Sequence, residues 1–310
     1  MKPKDVGALL VLSALWGGSF LFMRIAAPVL GPIVLIEVRV LVAGIALLLY
    51  SLVIRRNLDL RKRWLHYLVI GIINSALPFT LIAAAELHLT AGLAAILNAT
   101  SPLFGAVIAA VWIKEALTTR QVIGLLLGLV GVGVLVGWSP LPFSTTLAFS
   151  VVASLAAAAF YGLAVVYTKV YVRGANSGAV ATCSQLGAAL FLFPLTFVAP
   201  SQHLPSLPVV LAVAALALLC TAVAYLIYFY LIETVGPTKA ITVTFLSPVF
   251  GVLWGVLFLG EPLAISTILG FGIILVGTGF VTGVLRFRKE RNALSATPYK
   301  NTMPDASSVR

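Results

Sequence analysis

The candidate ionisable side chains in or at the end of long apolar runs are Arg24, Glu37, Arg39 and Glu86. A charge at membrane depth costs about 2.5–3.5 kcal/mol on insertion scales, so such a residue faces a cavity or a partner. Glu37 and Arg39 are two residues apart, roughly 200° around a helix, and cannot point at one spot. Their spacing permits a Glu37–Arg24 ion pair across the first hairpin, with Arg39, the deeper arginine, turned to another partner. The competing assignment sends Arg24 to the headgroups and uses Arg39 for helix packing. Arg39 has the chemistry to attract a carboxylate. Glu37, with Arg24 beside it, has the chemistry to exchange a proton and so couple an ion. Glu86, at the end of its run, reads as a solvated loop-end residue.

Prolines form a second constellation. Pro78, Pro102 and Pro248 fall within apolar runs. Proline offers no N–H to the carbonyl four residues earlier and kinks the helix. The carbonyls left over belong to Asn74, Asn98 and Thr244, so each site joins a free carbonyl to a polar side chain at membrane depth. A kink repaired by neighbouring helices is the plainer explanation. Trp16, Ser101, Tyr161, Gln185, Thr221, Tyr225, Tyr228 and Ser247 supply further mid-span groups, although an aromatic here also serves packing or an interfacial belt. Tyr167 and Tyr171 read as belt residues. The expected cavity wall is Trp16, Arg39, Asn74, Asn98, Ser101, Tyr161, Gln185, Tyr225 and Tyr228. This inventory is polar but nearly neutral, which favours zwitterionic or amphipathic guests over highly charged ones.

The elements that must position these groups are membrane helices. The 310 residues are 61% hydrophobic and 9% charged, against about 25% charged in soluble domains. About 20 apolar residues cross the hydrocarbon. Ten such runs occur, near 6–27, 33–54, 65–86, 91–113, 120–138, 147–169, 178–199, 209–231, 239–259 and 265–285. The expected fold is all-α and integral to the membrane. Lys and Arg collect in cytoplasmic loops. They precede run 1 (Lys2, Lys4) and fill the connections 2–3 (Arg55, Arg56, Arg61, Lys62, Arg63), 4–5 (Lys114, Arg120) and 6–7 (Lys169, Arg173). Lys239 opens run 9, and Arg286, Arg288, Lys289 and Arg291 follow run 10. The odd-numbered connections have none. Both termini are therefore expected in the cytoplasm, in a multi-pass protein of the cell inner (plasma) membrane. This bias and headgroup contact account for the net charge of +11 without a nucleic-acid partner. The first run follows Lys2 and Lys4 as a signal peptide would, but its length favours an uncleaved helix. Cys183 and Cys220 lie in separate spans and are spaced neither for a metal nor for a structural disulfide.

The chain also repeats itself. Sliding residues 101–137 onto 247–283, a shift of 146, gives 12 identities in 37 positions. Ser101-Pro102 falls on Ser247-Pro248, Phe104-Gly105 on Phe250-Gly251 and Glu115 on Glu261. Trp16-Gly17 and Arg24 align with Tyr161-Gly162 and Lys169 at a shift of 145. The expected division is a first five-helix repeat at 1–142, a second at 143–287 and a flexible basic tail at 288–310. Five helices per repeat put the two in opposite orientation. Consistently, the second copy keeps the acid of the 4–5 connection but replaces Lys114 with Gly260 and Arg120 with Ser266. Runs 5 and 10 are rich in glycines four apart, including Gly124 and Gly128, Gly133 and Gly137, and Gly279 and Gly283. Small residues at that spacing let helices approach closely. The two runs read as scaffold, with a homodimer interface as the sharper alternative.

Together these features resemble the EamA-type ten-helix permeases of the drug/metabolite transporter superfamily. The resemblance covers about residues 6–285. It rests on Trp16-Gly17 with Arg24, on Arg39 before an apolar run, and on the duplicated Ser-Pro to Glu segments with their glycine-rich helices. It implies a central cavity lined by helices 1–4 and 6–9, helices 5 and 10 at the periphery, and outward movement of small metabolites, often amino acids. The leading expectation is a secondary transporter working by alternating access between inverted repeats, with a small-molecule substrate and no cofactor. An integral-membrane lipid-modifying enzyme is the alternative from another class. Against it, His66, His88 and His203 lie at span ends without metal spacing, and no Ser/His/Asp set or phosphate loop is evident. A passive channel ranks lower, for want of a filter-like repeat.

Overall fold

The computed structural model describes residues 1–138, 144–201 and 203–285. The tail expected at 288–310 lies outside them. Among the described residues ten long helices follow one another: α1 (Pro3–Leu30), α2 (Pro32–Val53), α3 (Leu60–Ala85), α4 (Ala91–Trp112), α5 (Thr119–Gly137), α6 (Thr145–Tyr171), α7 (Ser177–Thr196), α8 (Leu207–Val235), α9 (Val243–Leu259) and α10 (Ile265–Thr282). Nine are long and apolar enough to cross a membrane, and α9 is a shorter apolar helix of 17 residues. The described residues contain no strand. The all-α membrane architecture expected from the sequence is therefore the observed one.

Local chemistry sets the helix ends. Gly31, at φ 73°, supplies the one-residue joint between α1 and α2, and Pro32 starts α2 where its missing N–H costs nothing. Thr118 and Gln121 cap α5 reciprocally, at 3.3 and 2.9 Å. The Asn176 side chain accepts from two N–H groups at the start of α7.

α5 and α10 pair with each other through glycines. A Cβ on Gly124 would lie 2.6 Å from the Gly277 carbonyl, and one on Gly277 the same distance from the Gly124 carbonyl. Gly124→Val is expected to cost about 1–3 kcal/mol by overpacking. A lower unfolding temperature of the detergent-purified protein checks this, and an unchanged one contradicts it.

The other eight helices form the body. α1 packs on α9 and α6 on α4. α2 packs on α7 and α8, α3 on α7, α1 on α8, and α6 on α3. Two close crossings match. A Cβ on Gly17 would sit 2.7 Å from Gly251 N, and one on Gly162 would sit 2.5 Å from Gly105 N.

Three helices depart from regular α geometry near mid-span. α3 widens to a π turn over Ile72–Ala76, where the Leu77 N–H reaches back to the Ile72 carbonyl. Pro78 follows immediately. α8 widens over Ala215–Val223 although no proline is present. These stretches coincide at the 146-residue shift, so the equivalence of Pro78 with Ala224 does not make the bulge unique to α3. α4 is interrupted between Asn98 and Ser101, just before Pro102. Pro248, expected to kink its helix, lies within α9. A break comes earlier, at Ile241–Thr242, after a helical turn at Pro237–Ala240.

One face of the body carries the start of α1 and the α2–α3, α4–α5, α6–α7 and α8–α9 connections, hence the lysines and arginines. We call it the basic face. At its edge Tyr167 and Tyr171 cluster with His66 and Trp112, with ring centroids 4.8–6.3 Å apart. This suits interfacial aromatics.

Candidate functional site

A cavity of about 540 Å³ runs from the middle of the body to the basic face. Arg39 stands at its inner end, 3% exposed. Its Nε donates to Thr221 Oγ1 at 3.0 Å, Nη1 to Met23 Sδ at 3.4 Å and Nη2 to Ser19 Oγ at 3.5 Å. The guanidinium carbon lies 3.6 Å from the centroid of the Phe79 ring, a cation–π distance. No carboxylate among the described residues bonds to it. The widened turn in α8 shapes this seat: Thr221 donates to the Leu216 carbonyl, five residues back, at 2.8 Å. Its oxygen thereby stays available to accept from Arg39.

The expected wall residues Trp16, Asn74, Asn98, Ser101, Tyr161, Tyr225 and Tyr228 all reach the cavity. The rings of Trp16 and Tyr228 pack tilted against each other with centroids 5.3 Å apart, and those of Phe79 and Tyr161 likewise at 6.2 Å. Ser101 Oγ donates to the Asn98 carbonyl at 2.6 Å, the acceptor that Pro102 leaves free. Asn74 Nδ2 donates to the Tyr225 hydroxyl at 3.4 Å. Gln185 is the exception. It is fully buried and absent from the wall, and its Nε2 donates to Ser75 Oγ at 2.9 Å and Tyr225 OH at 3.4 Å. It braces Tyr225 from behind. α7 therefore adds nothing to the wall, whereas peripheral α5 and α10 reach the mouth with Gln121, Val281 and Thr282.

The Glu37–Arg24 pair does not form. Arg24 Nη1 donates to the backbone carbonyl of Glu86, and Glu37 Oε2 has no partner among the described residues. Neither residue lines the cavity. The single-residue joint sets both at one level, but Arg24 turns toward the α3–α4 connection. Nor is Glu86 solvated. The chain after α3 winds on, with Leu89 N donating to the Ala85 carbonyl at 2.8 Å, and buries Glu86 completely.

Sequence reasoning missed Ser19, Met23, Phe79 and Cys220, which look like packing residues until Arg39 is placed among them. It also missed what the repeated glutamates do. Glu261 accepts from the backbone N–H groups of Ala91 and Gly92, at 2.6 and 3.1 Å, on the face opposite the basic one. Glu115, at the cavity mouth, pairs with Lys169 at 2.7 Å. Chemically, the cavity offers one buried cation, amide and hydroxyl groups, and aromatic faces. Among the described residues no three His, Cys, Asp or Glu side chains gather as metal ligands.

The EamA-like transporter family model matches residues 5–137 and again residues 148–283. The chain belongs to the EamA-like transporter family. Its class is thus a multi-pass membrane transporter of small molecules, and both family and relatives point to transport rather than catalysis. The uncharacterized inner membrane transporter YedA of Escherichia coli K12 is 30% identical to this EamA-like chain over 284 residues, 89% of this chain and 90% of the relative. The uncharacterized transporter YvbV of Bacillus subtilis is 26% identical over 278 residues, 88% of this chain and 90% of the relative. A crystal structure of a protein 18% identical in sequence superposes with a TM-score of 0.64, covering 90% of this chain and 97% of the other, and shares the fold.

Proposed function

We propose that this EamA-like protein is a secondary exporter of small amphipathic or amino-acid-like compounds that carry a carboxylate. It works by alternating access between two inverted five-helix halves. Arg39 carries the proposal. A guanidinium buried at the end of a cavity, with no carboxylate among the described residues bonded to it, leaves its fork open to the counter-charge of a guest. Its planar fork matches a carboxylate better than any other side chain does. Trp16, Tyr161 and Tyr228 offer apolar faces to the rest of the molecule, and Asn74, Asn98 and Ser101 offer hydrogen bonds to a second polar group. A cavity of about 540 Å³ suits one metabolite.

Direction follows from the charges. If the basic face is cytoplasmic, as the positive-inside rule has it, both termini are cytoplasmic and the cavity opens to the cell interior, ready to load. The name of the Escherichia coli relative supports an inner-membrane location. The division near residue 142 is supported by the doubled family match and by the helix pairs that map onto one another when the first five helices are exchanged for the last five. Packing at the far end argues against a channel. There a Cβ on Gly251 would meet the Ala95 side chain at 2.5 Å.

The test compares metabolites of cells overproducing the intact protein with those of cells overproducing an Arg39→Ala, Asn98→Ala variant of equal abundance. A carboxylated compound accumulating outside only with the intact protein is the expected result. Equal profiles, with both proteins inserted, overturn it.

A further inference from the structure

We propose that Glu261 and Glu115 are reciprocal gate latches. Glu261 holds the far end closed in the state seen here, and Glu115 holds the basic end closed in the opposite state. The inference rests on the alternating-access reading, but its test needs no substrate.

The two glutamates are presented in the same way. Glu261 N donates to the Gly255 carbonyl at 3.1 Å, and Glu115 N donates to the Ala109 carbonyl at 3.3 Å. These four positions match at the 146-residue shift. Each carboxylate therefore leaves the end of its helix, α9 or α4, on an identical turn. Their engagement differs. Glu261 reaches across to α4 and takes both Ala91 N–H and Gly92 N–H, with both carboxylate oxygens used. Gly92 and Gly255 leave the room it occupies: a Cβ on either would meet Glu261 Oε2, at 3.5 Å from Gly92 and closer still from Gly255. Two charge-assisted bonds thus tie α9 to α4 at the closed end.

Glu115 makes no such crossing. At the open mouth its carboxylate bonds to Lys169 on α6, and both side chains are about half exposed. Exposed pairs of this kind contribute little, so the contact is easily given up. The segment equivalent to Thr90-Ala91-Gly92 is Gly236-Pro237-Thr238, at the start of the α9 region. Proline removes one of the two backbone donors there, and exposed Lys239 next to it adds a positive charge. When the basic end closes, Glu115 exchanges Lys169 for this turn, while Glu261 releases α4.

Cysteine accessibility tests this in liposomes, in a background carrying Cys183→Ala and Cys220→Ala. The far-end probe is Val252→Cys, whose side chain faces Gly92 in the closed contact. The basic-end probe is Ala106→Cys in the cavity wall. The reagent is a membrane-impermeant maleimide applied from either side. Glu261→Gln keeps the shape but weakens the latch. It is expected to raise far-end labelling about tenfold and lower basic-end labelling in parallel, since hydrogen bonds to charged groups are worth more than neutral ones. Adding Glu115→Gln to that variant is expected to return both rates toward the parent. Far-end labelling unchanged by Glu261→Gln, in protein that unfolds at the parental temperature, overturns the Glu261 latch. A double variant that labels like Glu261→Gln alone overturns the role of Glu115. The proposed function fails separately, if no carboxylated compound is moved.

Discussion

Arg39→Ala lowers kcat/KM for a carboxylated substrate by about 100-fold or more in proteoliposomes. A hydrogen bond to a charged group contributes about 1.5–3 kcal/mol, and each 1.36 kcal/mol is about tenfold. Losing a bidentate contact at a desolvated site therefore removes two such bonds. Arg39→Lys restores the charge but not the fork, so it recovers only part of the activity. A methyl-ester analogue of the substrate, lacking the anion, is carried with nearly the same efficiency by Arg39→Ala and by the intact protein. This contrast separates recognition from folding. The side chain also ties α1, α2, α3 and α8 together through Ser19, Met23, Phe79 and Thr221, and an unfolded variant would lose both substrates alike. Equal kcat/KM values for Arg39→Ala and the intact protein on the acid would remove the carboxylate from the site.

Ala106→Trp has the second large effect, of a different kind. Ala106 lines the cavity on α4, between Arg39 and the mouth. An indole there fills the route instead of changing its chemistry. Transport is expected to fall about tenfold or more for acid and ester alike, with thermal unfolding close to the parent because the new side chain enters empty space. Initial rates for both compounds, with an unfolding curve, check the expectation. Full activity on either compound would place the route elsewhere. Gly124→Val, by contrast, moves stability, since its Cβ meets helix backbone and not cavity.

Composition and proline placement made much of this legible. Apolar runs broken by basic loops marked the helices to within a few residues, because hydrocarbon thickness fixes their length. Asn74 and Asn98 were found through Pro78 and Pro102, since a missing N–H leaves a carbonyl to be satisfied by something else. That signal was blind in α8, where the turn widens without a proline and brings Cys220 and Thr221 to Arg39. Helix position predicted depth but not direction. Arg24 and Glu37 share a level, yet Arg24 bonds to the Glu86 carbonyl. Gln185 lies at the right depth but behind Tyr225. Glu86 was misjudged because a run's end does not reveal whether the following loop folds over it. The two glutamates of the repeat were visible as identities, but only the contact between Glu261 and Ala91-Gly92 told which one is seated.

Counterflow tests the central claim most directly. Liposomes containing the purified protein are loaded with unlabelled carboxylated substrate and diluted into a trace of the labelled compound. Alternating access predicts that label rises above its equilibrium level and then decays, because the outgoing substrate returns the site to the label. Arg39→Ala liposomes show no such overshoot. Label that only approaches equilibrium, at a rate indifferent to the internal substrate, would mean an open channel and contradict the transporter mechanism.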